Sequence, residues 1–189
     1  MNKNVVIFAS GTGSNAANLV DLYKDRSDIN VVGICSNKQE AKVLDMAKAN
    51  NIDTLVFSKA ELEAEGKVDQ FMAEKGADCI VLAGFLLRFP ARLVARFPNR
   101  ILNLHPALLP KFGGKGMYGM NVHRAVKEAS EPLSGMTIHY VNENYDEGAI
   151  IRQESVELNP DDTAEEIAGK VLELEHKWFA PTIEQILKT

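Results

Sequence analysis

An asparagine and a histidine, Asn103 and His105, lie two residues apart in the segment Ile-Leu-Asn-Leu-His-Pro. The apolar residues around them are typical of a β-strand, in which side chains at i and i+2 point to the same side. An amide donor and a titratable imidazole that face one spot can stabilise and discharge a tetrahedral intermediate. The pair therefore predicts acyl-group chemistry, and a structural histidine before Pro106 is the alternative.

A histidine that acts near neutral pH needs a partner that stabilises its charged form, normally a carboxylate. A strand predicted at residues 136–141 ends in a loop that contains Glu143, Asp146 and Glu147. Any of the three could orient the imidazole, and composition does not choose among them.

A second candidate site is the segment Ser-Gly-Thr-Gly-Ser-Asn-Ala at residues 10–16, between the first predicted strand and the first predicted helix. Glycines there let the backbone approach a ligand, and the free amides of a helix N-terminus favour an anion such as phosphate. The segment also fits a variant of the dinucleotide fingerprint, so a nicotinamide-dependent protein is an alternative. The ribose-binding carboxylate of that motif is absent, because residues 35–38 are Cys-Ser-Asn-Lys. A glycine turn with Ser14 as a helix N-cap is the structural alternative.

Strand-like and helix-like segments alternate along the chain, which predicts an α/β domain with a mostly parallel sheet and helices on both faces. Two late strands joined by a short loop predict an antiparallel edge. We expect one domain over residues 1–189. The predicted strands cover residues 5–9, 31–35, 54–57, 79–83, 101–104, 136–141 and 149–156. The predicted helices cover an apolar stripe at 16–23, residues 39–50, 60–75 and 121–129, and a last helix introduced by a capping box of Thr163 and Glu166.

Bulk composition favours small-molecule chemistry. The 189 residues carry a net charge of −5 and no basic run, which argues against a nucleic-acid partner. No stretch approaches the roughly 18 apolar residues of a membrane span, so we expect a cytoplasmic protein without a membrane partner. Cys35 and Cys79 lie in apolar segments and are expected to be reduced core residues, and no cluster of metal ligands is evident.

Taken together, these motifs are similar to those of the folate-dependent phosphoribosylglycinamide formyltransferases, and the resemblance runs nearly end to end. Its core motifs also occur in methionyl-tRNA formyltransferase and formyltetrahydrofolate hydrolase, which carry a second domain for which 189 residues leave no room. The matching segments are residues 10–15, 81–85, 103–106 and 108–111, the strand 137–139, Asp146 with Gly148, and Glu175 with His176.

The resemblance implies a Rossmann-like formyltransferase fold with Asn103, His105 and Asp146 as the catalytic group. In this family the amine of glycinamide ribonucleotide attacks the formyl carbon of 10-formyltetrahydrofolate in purine biosynthesis, so no protein nucleophile is required. Asn103 and a protonated His105 would stabilise the oxyanion, and Asp146 would stabilise the imidazolium and accept the amine proton through water.

The resemblance also implies the ligand-binding residues. Gly13, Ser14 and Asn15 match the loop that holds the substrate phosphate, and Glu175 matches the carboxylate that contacts the glycinamide end. The folate would be bound by Leu86, Leu87, Arg88 and Phe89, by Asn103, and by the loop residues Asn142, Glu143, Asn144, Tyr145 and Asp146.

This sequence departs from the family pattern at three places, of which Ala107, where many relatives have serine, is expected to matter little to the chemistry. Arg88 follows two leucines where an arginine often comes one position earlier, and the glycine-rich segment 112–119 is longer than in some relatives. We expect that segment to be a mobile loop, with Lys115 a candidate contact for the phosphate. His123 and His139 are expected to be structural, His139 with a secondary role of supporting Asp146.

The sequence leaves three alternative functions open. The same site would act as a formyltetrahydrofolate hydrolase if water replaced the amine, or as a sugar-nucleotide formyltransferase if the acceptor pocket differed. A dinucleotide-binding protein is the alternative from another class. The expected partners are therefore the small molecules glycinamide ribonucleotide and 10-formyltetrahydrofolate, with no metal, and the chain is expected to be a monomer or homodimer.

Overall fold

The structure is a computed structural model that describes residues 2–188, so the two terminal residues of the predicted domain lie outside it. In the described residues seven strands form one sheet in the order β3-β2-β1-β4-β5-β6-β7. The strands are β1 (Lys3–Phe8), β2 (Ile29–Ser36), β3 (Thr54–Val56), β4 (Cys79–Leu82), β5 (Ile101–His105), β6 (Leu133–Tyr140) and β7 (Ile150–Glu157).

The predicted mixture of parallel and antiparallel strands is confirmed. Strands β1 to β5 pair in parallel. Strands β6 and β7 add to one edge in antiparallel orientation. The chain moves outward from β1 to β3 on one side and from β4 to β5 on the other, so the order reverses between β1 and β4. Ligands of open α/β sheets bind at the carboxyl ends of the strands beside such a reversal.

Helices cover both faces of the sheet, as predicted, but one predicted helix is divided in two and one helix was not predicted. Residues 60–75 form two helices, because Gly66 adopts a φ of 140° between them. The short helix at 91–96 was not predicted, because six residues after Pro90 are too few to show a helical period. The helices are α1 (Ser14–Tyr23), α2 (Lys42–Ala49), α3 (Lys59–Glu63), α4 (Lys67–Glu74), α5 (Ala91–Arg96), α6 (Met120–Glu128) and α7 (Ala164–Leu187).

Each face of the sheet has its own apolar core. One core packs α1, α2, α6 and α7 against the sheet, and the other packs α3, α4 and α5. Cys35 and Cys79 are free and buried in these cores, as predicted. No helix among residues 2–188 is long and apolar enough to cross a membrane. Because β1, β4 and β5 are packed between the two cores, the loops at their carboxyl ends begin from fixed positions.

Helix α7 begins at the predicted capping box. The Thr163 hydroxyl accepts a hydrogen bond from the Glu166 backbone N–H at 3.2 Å, and the Glu166 carboxylate accepts one from the Thr163 backbone N–H at 2.7 Å. The helix then runs across the sheet past α1 and α6. This path brings Glu175, in the middle of the helix, to the loop that follows β1.

Candidate active site

A cleft of about 820 Å³ opens at the carboxyl ends of β1, β4 and β5, beside the reversal of strand order. The cleft brings together the predicted catalytic group, the predicted phosphate loop and the predicted glycinamide carboxylate. Its walls are residues 10–15, 83–86, 103–106, 114–120 and 145–146, together with Lys38, His123, Ala168, Leu172 and Glu175.

Strand β5 presents Asn103 and His105 to the cleft, as the two-residue spacing predicts. The strand is central in the sheet, paired with β4 on one side and β6 on the other. His105 is only 3% exposed, so its imidazole is held by packing as well as by hydrogen bonds. The pair thus lies on a rigid element, which a precise reaction geometry requires.

Of the three candidate carboxylates, only Asp146 reaches this pair. Its Oδ2 lies 3.5 Å from Nδ1 of His105, and its Oδ1 accepts a hydrogen bond from Nδ2 of Asn103 at 3.2 Å. The Gly114 backbone N–H donates to Oδ2 at 2.9 Å and ties the glycine-rich loop to the same carboxylate. Glu147 instead accepts a hydrogen bond from Asn144, and Glu143 is exposed. The loop therefore delivers one specific acid to the imidazole.

The surroundings lower the pKa of both Asp146 and His105, but for different reasons. Burial alone would raise the pKa of Asp146, but its hydrogen bonds and the two nearby imidazoles outweigh burial and lower that pKa. Burial lowers the pKa of His105, and Asp146 and the Phe112 carbonyl offset this only in part. At pH 7 the site without substrate therefore holds a carboxylate and a neutral imidazole, whereas the family resemblance implies a protonated His105 during the reaction.

Strand β6 contributes His139, which we expected to be structural with a secondary role of supporting Asp146. Its Nδ1–H donates to the Tyr140 carbonyl at 2.9 Å, so its Nε2 carries the lone pair that accepts from Nδ2 of Asn103 at 3.0 Å. The β5–β6 register pairs Asn103 directly with His139. Sequence reasoning could not find this contact, because the register of the two strands is a tertiary property.

His123 was also expected to be structural, and the structure places it on the cleft wall. It is buried on α6, and burial followed by the nearby His105 lowers its pKa to about 4. The ring is therefore neutral at pH 7. Its Nδ1 has no hydrogen-bond partner among residues 2–188.

The loop at residues 10–13, which follows β1, ends in an open helix N-terminus. Gly13 precedes α1 with a φ of 76°, and no side chain caps the helix. A Cβ at Gly13 would lie 2.4 Å from Cγ2 of Val43, so the loop packs directly on α2. Ser14 is the first residue of the helix, which excludes its alternative role as the N-cap. Free backbone amides thus face the cleft, where Lys38 and Lys115 supply positive charge suited to an anion.

The side chain of Asn15 connects α1 to α7 at the wall of the cleft. Its Nδ2 donates to Oε2 of Glu175 at 2.7 Å. Glu175 is 7% exposed, and burial raises its pKa to about 7 although the hydrogen bond from Asn15 opposes the shift. Near neutral pH this carboxyl can therefore either hold or release a proton.

The predicted folate residues fall into two groups. Leu86, Asn103, Tyr145 and Asp146 line the cleft. The others do not: Phe89 is buried in the core with its ring 5.2 Å from that of Phe8. A ligand contact of Phe89 would therefore involve its backbone, and the roles of the remaining residues stay predictions. Leu87 packs against the second core, Arg88, Glu143 and Asn144 are exposed, and Asn142 accepts a hydrogen bond from the Asn144 backbone N–H.

The polar residues at and just after the carboxyl end of β2 support the loop at residues 10–13 instead of presenting a dinucleotide site. The Ser10 hydroxyl donates to Oδ1 of Asn37 at 2.6 Å and accepts from the Leu86 backbone N–H at 3.0 Å. Ser36 accepts a hydrogen bond from the Lys38 backbone N–H at 3.2 Å. Ser36 and Asn37 are thus engaged in structural contacts, which disfavours that alternative, and of these polar residues only Lys38 lines the cleft.

The family model for formyl transferase matches residues 3–183. The chain belongs to the formyltransferase family. It is 34% identical to the phosphoribosylglycinamide formyltransferase of Bacillus subtilis, over 98% of this chain and 95% of that protein. It is 42% identical to the chloroplastic phosphoribosylglycinamide formyltransferase of Arabidopsis thaliana over 97% of this chain, but it spans only 65% of that protein's length.

Solved formyltransferase structures share the whole architecture of this chain. The phosphoribosylglycinamide formyltransferase of Anaplasma phagocytophilum superposes with a TM-score of 0.89 at 31% identity, covering 100% of this chain and 88% of that one. The enzyme of Brucella melitensis superposes with a TM-score of 0.84 at 34% identity, covering 100% and 97%. The predicted Rossmann-like formyltransferase fold is therefore confirmed.

Proposed function

We propose that this formyltransferase transfers the formyl group of 10-formyltetrahydrofolate to the amine of 5'-phosphoribosylglycinamide, a step of purine biosynthesis. The observation that carries the proposal is the cleft itself, which combines an oxyanion-stabilising pair, an open helix N-terminus and a buried carboxylate. The names of its full-length bacterial relatives support the same reaction. A cytoplasmic location and a monomeric or homodimeric state remain part of the proposal.

The three features suit the three parts of the two substrates. The N-terminus of α1, with Lys38 and Lys115, would bind the ribonucleotide phosphate. Glu175 would bind the amine, and the formyl group would lie against Asn103 and His105. Leu86 and Tyr145 offer apolar surface to the flat folate ring.

The reaction proceeds by direct attack of the substrate amine. Glu175 accepts the proton of the bound ammonium group, and the neutral amine forms a bond to the formyl carbon while the carbonyl electrons move to oxygen. Asn103 and His105 donate hydrogen bonds to that oxyanion, and loss of one such donor costs on the order of 3 kcal/mol of barrier. In the substrate complex His105 takes up a proton from solvent, and Asp146 stabilises the resulting imidazolium. Asp146 also accepts the second amine proton through water and returns it to folate nitrogen N10 as the bond between the formyl carbon and N10 breaks, so N10 leaves protonated as tetrahydrofolate.

The hydrogen-bond donors must change partners when the substrate arrives. Without substrate, the amide hydrogens of Asn103 point to His139 and Asp146, and Nε2 of His105 hydrogen-bonds the Phe112 carbonyl at 2.7 Å. The formyl oxygen would replace Asp146 at the amide and the Phe112 carbonyl at the imidazole. His139 keeps its hydrogen bond, so the amide retains its orientation.

The test is the absorbance of folate released from a 10-formyl-dideazafolate analogue, with and without glycinamide ribonucleotide. Release only with the ribonucleotide supports the proposal. Release in both mixtures would replace it with a formyltetrahydrofolate hydrolase, and release only with an amino-sugar nucleotide would replace it with a sugar-nucleotide formyltransferase. Release under none of these conditions would overturn it.

A further inference from the structure

The side chains of Asn15 and Glu175 join α1 to α7 at the wall of the cleft. The carboxylate oxygen Oε2 accepts the amide hydrogen bond at 2.7 Å, and within residues 2–188 the other oxygen, Oε1, accepts none. The amide oxygen of Asn15 is buried and also has no hydrogen-bond partner in the described part of the chain. The carboxylate therefore determines the orientation of the Asn15 amide, because a flipped amide would place its Oδ1 against Oε2 of Glu175.

We propose that Asn15 is a positioning residue, whose amide holds one oxygen of Glu175 so that the other faces the substrate amine. This inference rests on the proposed function, in which Glu175 binds that amine. It assigns the Asn15 side chain to the carboxylate and leaves the phosphate to backbone amides at the start of α1. The Asn15 backbone N–H remains available to the phosphate, so the two roles are compatible.

The charge environment makes this hydrogen bond important. Within residues 2–188, Glu175 forms no ion pair within 4.0 Å, so the amide is the one group that orients its ionised form. A glutamate has three rotatable side-chain bonds, and without the amide the carboxylate would be free to turn away from the amine. The other titratable groups that share the cleft are Lys38, His105, Lys115, Tyr118, His123, Tyr145 and Asp146.

The test compares two substrates that differ only in the phosphate, glycinamide ribonucleotide and its dephosphorylated nucleoside. Asn15→Leu keeps the size of the side chain and removes the donor, whereas Asn15→Gln restores an amide. The matched control is Asn18→Leu, the same change one turn along α1 and outside the cleft. Circular dichroism checks that each variant is folded.

We expect Asn15→Leu to lower kcat/KM by at least about tenfold with both substrates, the loss typical of one hydrogen bond to a charged group. The limb of the pH profile near pH 7 should move to higher pH, because the lost hydrogen bond favoured the ionised carboxyl. Asn15→Gln should recover part of the activity, and Asn18→Leu should resemble the wild type.

A defect confined to the phosphorylated substrate would overturn the inference and assign Asn15 to the phosphate. If the wild type formylates neither substrate, the proposed function fails. A second measurement then still tests whether the Asn15 amide acts on the Glu175 carboxylate. Carbon-13 NMR of the Glu175 carboxyl in the protein without substrate should then show a higher pKa in Asn15→Leu than in the wild type. An unchanged pKa would show that the amide does not act on the carboxylate.

Discussion

Nδ2 of Asn103 lies 3.2 Å from Oδ1 of Asp146, a contact that joins the central strand β5 to the loop after β6. The oxyanion donor and the proton acceptor of the proposed reaction are thus in direct contact before substrate binds. The formyl oxygen must enter between them, and the carboxylate is then released from the amide but stays beside His105. In the proposed reaction, binding of the formyl group and release of the carboxylate would therefore be coupled through this one hydrogen bond.

Asp146→Asn should reduce kcat by about 10²- to 10⁴-fold, in the range found when a carboxylate that supports a catalytic histidine is removed. The amide has nearly the same shape and still accepts from Gly114, but it cannot stabilise an imidazolium. Steady-state formyl transfer measures kcat, and fluorescence titration with a folate analogue should show nearly unchanged affinity.

Glu147→Gln is the matched control for that experiment, because it removes a charge from the same loop and Glu147 contacts only Asn144 among the interactions described. Its kcat should stay within about twofold of the wild type, since surface substitutions have small effects. Turnover by Asp146→Asn at the level of this control would remove Asp146 from the mechanism.

Glu175→Gln should remove the rise in kcat/KM that the wild type shows as the pH increases through about 7. The pKa of Glu175 is raised to about 7, so the fraction able to accept the amine proton increases as the pH rises through that value. In the wild type, kcat/KM for the ribonucleotide should therefore rise toward a plateau above about pH 7. The variant should be at least about tenfold less active and lack this limb. A pH series from 5.5 to 8.5 measures it, and a retained limb in Glu175→Gln would assign that ionisation elsewhere.

The sequence predicts the parts of this site better than their contacts. The two-residue spacing of Asn103 and His105 places both in the cleft because strand geometry is local. Asp146 required the family resemblance, because three acids in one loop look alike until the backbone of that loop is known. The contact of His139 with Asn103 depends on strand register, and the contact of Asn15 with Glu175 on the packing of α7 across α1. Neither relationship leaves a local signal.

Gly13→Ala should destabilise the protein and weaken ribonucleotide binding, whereas Gly11→Ala should not destabilise it. Gly13 combines a φ of 76° with a Cβ position 3.2 Å from the Cα of Val43, a backbone atom that cannot move aside easily. A Cβ at Gly11 would meet nothing within 4 Å. We expect a loss of about 1–3 kcal/mol for Gly13→Ala, from strain in the left-handed region and from the clash.

Urea unfolding of both glycine variants measures this difference, and the Michaelis constant for the ribonucleotide shows whether the loop has moved. The two glycines belong to the same loop, so any general effect of an added methyl group is common to both. Equal stability of the two variants would mean that α2 adjusts to the methyl group and that Gly13 is not required for packing.

Glu175→Gln should also make the protein more stable than the wild type at pH 8, but not at pH 5. The folded-state pKa of Glu175 is raised from 4.5 to about 7, so its protonated form stabilises the fold below pH 4.5 and that contribution is lost as the pH rises through 7. The loss is on the order of 3 kcal/mol, which corresponds to roughly 6–12 °C in Tm for a protein of this size. Thermal unfolding at the two pH values measures it, with the exposed Glu173→Gln as the control on the same helix. An equal Tm difference between Glu175→Gln and the wild type at both pH values would mean that Glu175 ionises as easily in the fold as in water. The expected result would show that the carboxylate is kept in the cleft at a cost to stability, as is typical of a group retained for function.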